Sequence, residues 1–163
     1  MMNQKLQDAL NAQLRHELEN AHLYLSMAAY FHQESLDGMA RWMLVQSKEE
    51  NGHAMRIFDH LKDRGVRVKL TPLDGPKVEW DSPLSAFDDA YKREVDTTER
   101  INQLVALAAA EKDHPAGNLL KWFVDEQVEE EAGTSHIAGM LKRIGNSGNG
   151  LIMLDRALSK REG

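Results

Sequence analysis

Apolar residues recur every three or four positions through four long stretches of this sequence, which is the period of an α-helix that buries one face. The first stretch covers roughly residues 4–33, and the second runs from a break at 34–38 to about Arg64. The third begins near Pro83, and the fourth ends at about Ile144. The sequence therefore predicts an all-α chain with four long helices.

The connections between these stretches indicate how the helices are arranged. The break at 34–38 is short, so the first two helices should form an antiparallel hairpin, with Ser35 or Asp37 as the N-cap of the second. Residues 66–82 lack helical period and are long enough to run the full height of a bundle. We therefore predict a four-helix bundle with a long crossover between helices 2 and 3.

A short fifth helix is predicted from Leu151 to about Ser159, after a segment rich in glycine and asparagine. Its side chains carry more apolar surface than a free tail should expose, which favours a role in assembly rather than in the core of one subunit. This hypothesis and the bundle arrangement are independent of each other.

Composition excludes several classes of protein. The length of 163 residues fits a single domain spanning 1–163, and the absence of cysteine excludes a disulfide framework and a thiolate zinc site. A net charge of −6 argues against a nucleic-acid partner. The N-terminus does not resemble a signal peptide and no apolar run is long enough to span a bilayer, so we expect a cytoplasmic protein with no membrane partner.

A carboxylate and an imidazole lie on the apolar face of the second helix. Glu50 and His53 are three residues apart, so they share that face and can bind one ion together. A buried carboxylate without a partner costs several kcal/mol, so a partner is required. On its own, this motif fits a buried Glu–His ion pair about as well as a metal site.

The other three helices also place ligand-type side chains at the middle of their apolar faces. These are Glu17, Glu94, and Gln127 with Glu130. In the predicted hairpin Glu17 lies about as far before the turn as His53 lies after it, so the two should meet at one level. Carboxylates at one level repel each other unless cations are bound. Oxygen ligands with one imidazole suit Fe(II), Mn(II) or Zn(II), and two metals sharing bridging carboxylates neutralise the charge best.

On these residues the chain resembles the bacterial non-haem ferritins along nearly its whole length, including the long crossover and the short fifth helix. Six residues match the pattern of the ferroxidase centre in that family: Glu17, Glu50, His53, Glu94, Gln127 and Glu130. The resemblance implies that Glu17, Glu50 and His53 hold a first iron. It implies a second iron on Glu50, Glu94 and Glu130, with Gln127 alongside.

Further residues match the surroundings of that centre. Tyr24 and Trp122 match its flanking aromatic residues, and Tyr24 is expected to contact the site ligands near Glu17 and to deliver an electron. The resemblance implies a third iron site at Glu49, Glu126 and Glu129. Helical spacing agrees with part of this, because Glu126, Glu129 and Glu130 fall within roughly 100° of one another around the fourth helix.

This sequence differs from those of related di-iron families at positions that distinguish them from the bacterial non-haem ferritins. Gln127-Val128-Glu129-Glu130 has no second Glu-x-x-His, unlike bacterioferritins and di-iron oxygenases. Asn51 stands where bacterioferritins carry their haem-binding methionine, so no haem is expected. A rubrerythrin-like iron domain would need cysteine, which this chain lacks.

The function implied by the resemblance is iron storage with ferroxidase activity. Fe(II) would be oxidised by dioxygen or hydrogen peroxide, and ferric mineral would be stored in a hollow homo-oligomer of twenty-four subunits. The alternative is a non-catalytic metal-binding helical cage or interaction protein. Among the histidines away from the centre, His16, His22 and His32 are predicted to be solvated or at subunit contacts. His60 and His136 are predicted to be partly exposed structural residues, with secondary iron contacts as the alternative.

Overall fold

The structure is a computed structural model that describes residues 1–163 as five α-helices without a β-strand. The helices are α1 (Gln4–Gln33), α2 (Asp37–Asp63), α3 (Pro83–Ala110), α4 (His114–Ile144) and α5 (Gly148–Leu158). The predicted bundle, crossover and short fifth helix are confirmed. None of the helices is both long enough and apolar enough to cross a membrane.

Local signals in the sequence determine several helix ends. Ser82 caps α3 through its side chain, which accepts a hydrogen bond from the Ser85 amide at 3.0 Å, and Pro83 occupies the first helical position. Gly65 follows α2 with φ +66°, a left-handed conformation that favours glycine. Both ends were predicted.

The start of α2 differs from the prediction. Neither Ser35 nor Asp37 caps it, because the N-cap position is Leu36, which offers no side-chain acceptor. The acceptor comes instead from α5, where Asp155 Oδ1 accepts a hydrogen bond from the Met39 amide at 2.8 Å. An amide in the first turn of α2, which has no partner within the helix, is thus satisfied by a residue far along the chain.

α5 packs against the start of α2 and contributes to the core of the subunit. Leu154 is buried in the same cluster as Met39 and Phe31. Gly38 permits the approach, since a Cβ atom there would lie 1.7 Å from the carbonyl oxygen of Asp155. The hypothesis that α5 serves assembly rather than the subunit core is therefore wrong about the core.

The α1–α2 and α3–α4 hairpins pack face to face around a core in two parts. One part includes Phe31, Met43 and Phe87. The other includes Leu10 and Ile101. Fully buried polar side chains lie between them, at the middle of the helices.

α3 is rotated slightly from its predicted orientation. Thr97 and Leu104 are buried, whereas the predicted positions Thr98 and Val105 are half-buried and 37% exposed. Both patterns have helical period; they differ in whether a step of three or of four follows Glu94.

Candidate metal centre

Ligand-type side chains from all four long helices converge between the two parts of the core. α1 contributes one, α2 two, α3 one and α4 two, and each replaces an apolar residue on the buried face of its helix. None of the six is more than 7% exposed: Glu17, Glu50, His53, Glu94, Gln127 and Glu130.

Two overlapping groups of these residues can each hold a cation. The ligand atoms of Glu17, Glu50 and His53 all lie within 4.8 Å of one another, and so do those of Glu50, Glu94 and Glu130. Glu50 belongs to both groups. The structure thus brings together the two sets that the resemblance to bacterial ferritins implies, with Glu50 in both.

The carboxylates are costly to charge in this environment. Burial raises the pKa of Glu17 well above its ordinary value, and the nearby charge of Glu50 raises it further. Burial and then the charges of Glu94 and Glu130 do the same to the pKa of Glu50. Burial, followed by the charge of Glu94, raises the pKa of Glu130 to about 8. Divalent cations would compete with protons for these groups.

Several buried polar atoms at the centre have no hydrogen-bond partner within the chain. They are Oε1 of Glu50, Nδ1 of His53 and Oε1 of Gln127. Buried polar atoms are nearly always paired, so unpaired ones that converge indicate a bound species. Carboxylate oxygens with one imidazole nitrogen and an amide oxygen fit a pair of divalent transition-metal ions.

Side-chain amides hold the carboxylates in place. Gln13 Nε2 donates to Glu17 at 2.8 Å, and Asn20 Nδ2 donates to Glu50 at 3.2 Å and more weakly to Glu17 at 3.4 Å. Gln46 Nε2 donates to Glu130. Sequence reasoning missed the roles of these amides. The available signal was position, since Gln13 and Asn20 lie four residues before and three after Glu17 on one helix face.

The two predicted aromatic residues, Tyr24 and Trp122, lie close to the ligands. Tyr24 is fully buried, and its hydroxyl donates to Glu94, so it contacts one of the predicted ligands as expected. The Trp122 ring lies edge-on to that of His53, with centroids 5.4 Å apart. The electron-donor role of Tyr24 stays a prediction.

The predicted third site is only partly assembled. Glu126 joins His53 and Glu130 in a third group whose ligand atoms lie within 4.8 Å of one another. Glu49 and Glu129 belong to none of these groups. Glu49 forms an ion pair with a residue of the C-terminal tail, and Glu129 is exposed.

His16 departs from its predicted environment. It is 3% exposed and its Nε2 lies 2.8 Å from Thr97 Oγ1, so the prediction of a solvated or subunit-contact side chain is wrong. Burial, with the charge of Arg93, lowers the pKa of His16 to about 3, so the ring is neutral. His22 and His32 are exposed in the subunit, as predicted.

Comparisons with known proteins agree with this geometry. A family profile described as a ferritin-like domain matches residues 7–144. The chain belongs to the ferritin-like family. Among its ferritin relatives, the bacterial non-heme ferritin of Staphylococcus saprophyticus is 40% identical over 99% of this chain and 96% of its own. That of Staphylococcus aureus strain MRSA252 is 37% identical over 99% and 97%.

A solved ferritin structure shares the whole architecture. An open pore ferritin from the hyperthermophilic archaeon Archaeoglobus fulgidus superimposes with a TM-score of 0.98 at 47% identity. The match covers 99% of this chain and 100% of that one. The bundle, the crossover and α5 are therefore all shared with that ferritin.

Proposed function

We propose that this protein is an iron-storage ferritin whose buried centre oxidises Fe(II) as a pair of ions. One observation carries the proposal: Glu50 is common to two buried ligand groups, each compact enough for one cation. Unpaired atoms on Glu50, His53 and Gln127 support it further. Family membership supports storage of iron, which is substrate and cargo here rather than a resident cofactor.

Each side chain has a distinct part in the proposed reaction. Glu17, Glu50 and His53 hold one Fe(II), and Glu50, Glu94 and Glu130 hold the other, with Gln127 alongside. Anionic oxygen ligands stabilise Fe(III) more than Fe(II), which favours loss of an electron from each ion. Dioxygen accepts the two electrons with two protons and becomes hydrogen peroxide; if hydrogen peroxide is the oxidant, the products are two waters. Reduction of dioxygen to two waters would instead take four electrons and four protons. The pair supplies two of these electrons, and we propose that Tyr24, hydrogen-bonded to Glu94, supplies one and a third Fe(II) the other, after which a further Fe(II) reduces the oxidised tyrosine.

We infer that the working particle is a hollow homo-oligomer of twenty-four subunits. Large apolar side chains on α1, α2 and the crossover support contacts with other subunits: Leu25, Leu44, Leu70 and Val78 are between 49% and 70% exposed. A third, weaker iron position beside the pair would use Glu126 with Glu49 and Glu129. Carboxylates that are more exposed hold a cation less tightly.

The proposal is tested by Glu50→Ala. Loss of the shared ligand is expected to abolish fast Fe(II) oxidation, because neither ligand group stays complete. The fold should persist, since removing one buried carboxylate relieves repulsion in the metal-free protein. Stopped-flow absorbance after aerobic Fe(II) addition measures oxidation, while circular dichroism and sedimentation measure fold and particle size.

Glu99→Ala is the matched control, because Glu99 is exposed on α3 and takes part in no ion pair. It should oxidise Fe(II) at the wild-type rate. Wild-type oxidation by Glu50→Ala would contradict the proposal. A wild-type protein that binds metal without any rise in absorbance would favour the non-catalytic cage instead.

A further inference from the structure

The last residues of the chain run back along α2 and reach the edge of the metal centre. Arg161 Nη2 donates to Glu49 Oε2 at 2.5 Å. Its Nη1 donates to Gln46 Oε1 at 2.9 Å, and its guanidinium stacks on the Trp42 ring at 4.4 Å from the centroid. The side chain is only 22% exposed. Arg161 is therefore a fixed cation rather than a solvated one.

The backbone around Arg161 is also held against α2. Arg41 Nε donates to the Arg161 carbonyl at 3.1 Å. Gly163 lies against Val45, where an added Cβ would come within 2.4 Å of Cγ1. These contacts fix the position from which the Arg161 side chain extends.

Arg161 contacts residues of the third metal position both directly and through one intervening side chain. It binds Glu49 directly, and it binds Gln46, whose amide donates to Glu130. Glu49 is also a predicted third-site ligand that lies outside every group of converging ligand atoms. A guanidinium with a charge-assisted hydrogen bond to a carboxylate competes directly with a metal ion for the same oxygen.

We propose that Arg161 neutralises Glu49 at the third metal position, which Glu126, Glu49 and Glu129 would form. The ion pair between Arg161 and Glu49 then sets how tightly that position binds a cation. The third ion must displace the guanidinium from Glu49, so it binds more weakly than the pair, whose ligands form no ion pair with an arginine or a lysine. The inference rests on the proposed function, because it assumes that a third cation binds beside the pair.

The decisive variant is Arg161→Gln in the assembled, full-length protein. Arg161 Nη1 also donates to the Trp42 carbonyl at 3.3 Å. Glutamine removes the charge but retains an amide that can donate to Gln46 or to this carbonyl. Titration calorimetry with Zn(II), which is not oxidised, counts the ions and gives their affinities. We expect the two tightly bound ions to be unchanged and the third to bind roughly three- to tenfold more tightly, as for the loss of a partly exposed ion pair.

Two further variants separate this contact from a general change of charge. Lys160→Gln removes the same charge one residue earlier, where the side chain is exposed and forms no ion pair, and should leave the third affinity unchanged. In a Glu49→Gln background the third ion should bind more weakly, and Arg161→Gln should then give no gain. This double-mutant cycle isolates the Arg161–Glu49 interaction.

Several results would overturn the inference. These are an unchanged or weaker third ion in Arg161→Gln, an equal gain in Lys160→Gln, and a gain that persists without Glu49. Two tight ions and no third ion in any variant would also overturn it, while leaving the paired centre intact. Absence of the two tight ions from the wild-type protein would instead contradict the proposed function.

Discussion

Asn20 connects the two carboxylates of the first ligand group to a cation on the neighbouring helix. Its Nδ2 donates to Glu50 and Glu17, and its Oδ1 accepts from Arg93 Nε at 2.5 Å. Asn20 is fully buried, so these contacts are shielded from water. The arrangement fixes the orientation of Glu17 and Glu50 before any metal binds.

Asn20→Ala is expected to weaken binding of the first metal several-fold and to lower the free energy of unfolding by about 1–2 kcal/mol. Both effects follow because Glu17, Glu50 and Arg93 each lose a buried hydrogen-bond partner. Co(II) titration followed by visible absorption reports on the first metal, and urea denaturation reports on stability. Asn102→Ala, at an exposed position on α3, is the control. An unchanged Co(II) affinity in Asn20→Ala would show that Asn20 does not contribute to binding of the first metal.

For single residues, the sequence predicts which face of a helix a side chain occupies but not which atom it contacts. Helical spacing places Glu17, Glu50 and Glu94 on buried faces that must converge, and the structure agrees. The partner of Tyr24 depends on the rotation of α1 relative to α3, which periodicity does not determine. Arg161 lies in a tail with no period, so nothing in the sequence indicates its contact with Glu49.

Among the secondary-structure elements, α5 depends on a single glycine for its position. Gly38 leaves room for the Asp155 carbonyl, and the Asp155 side chain caps the start of α2. Helix ends with local signals, such as Gly65 and Ser82, could be predicted. The start of α2 could not, because its acceptor lies 116 residues away in the sequence.

Gly38→Ala is expected to force α5 away from α2, because the new Cβ would overlap the Asp155 carbonyl oxygen. The loss of the cap and of Leu154 burial should cost about 2–3 kcal/mol. The melting temperature, measured by differential scanning calorimetry, should fall by roughly 5–10 °C. Gly52→Ala is the matched control, because Gly52 lies on the same helix with nothing near its Cβ position. Equal melting temperatures for the two variants would mean that α5 does not depend on Gly38.

For the whole molecule, the metal centre divides the core and makes the metal-free fold depend on protons. Carboxyl groups from all four helices lie between two apolar clusters. Without metal, protonation is the main way to reduce their mutual repulsion. Metal and protons therefore have the same stabilising role, and one replaces the other.

The metal-free protein is accordingly expected to lose stability as pH rises from about 6.5 to about 8. The pKa of Glu130 rises from 4.5 to about 8 on folding through burial and the charge of Glu94, and the pKa values of Glu17 and Glu50 rise as well. Between the unfolded and folded values the folded state binds more protons. The contribution is therefore complete below the unfolded pKa and is lost as pH rises through the folded one.

The expected slope is about 1.4 kcal/mol per pH unit for each such group. Starting near pH 6.5 avoids most of the opposing contribution of His16, whose pKa falls to about 3 on folding because of burial. Urea denaturation of chelator-treated protein measures the slope, and the same series with Zn(II) is the comparison. Bound metal keeps the carboxylates deprotonated in the folded state, so the decline should disappear or reverse.

Glu130→Gln, which mimics the protonated acid, should flatten the metal-free slope. A metal-free stability that rises with pH, or equal slopes with and without Zn(II), would show that the buried carboxyls are not the groups that titrate.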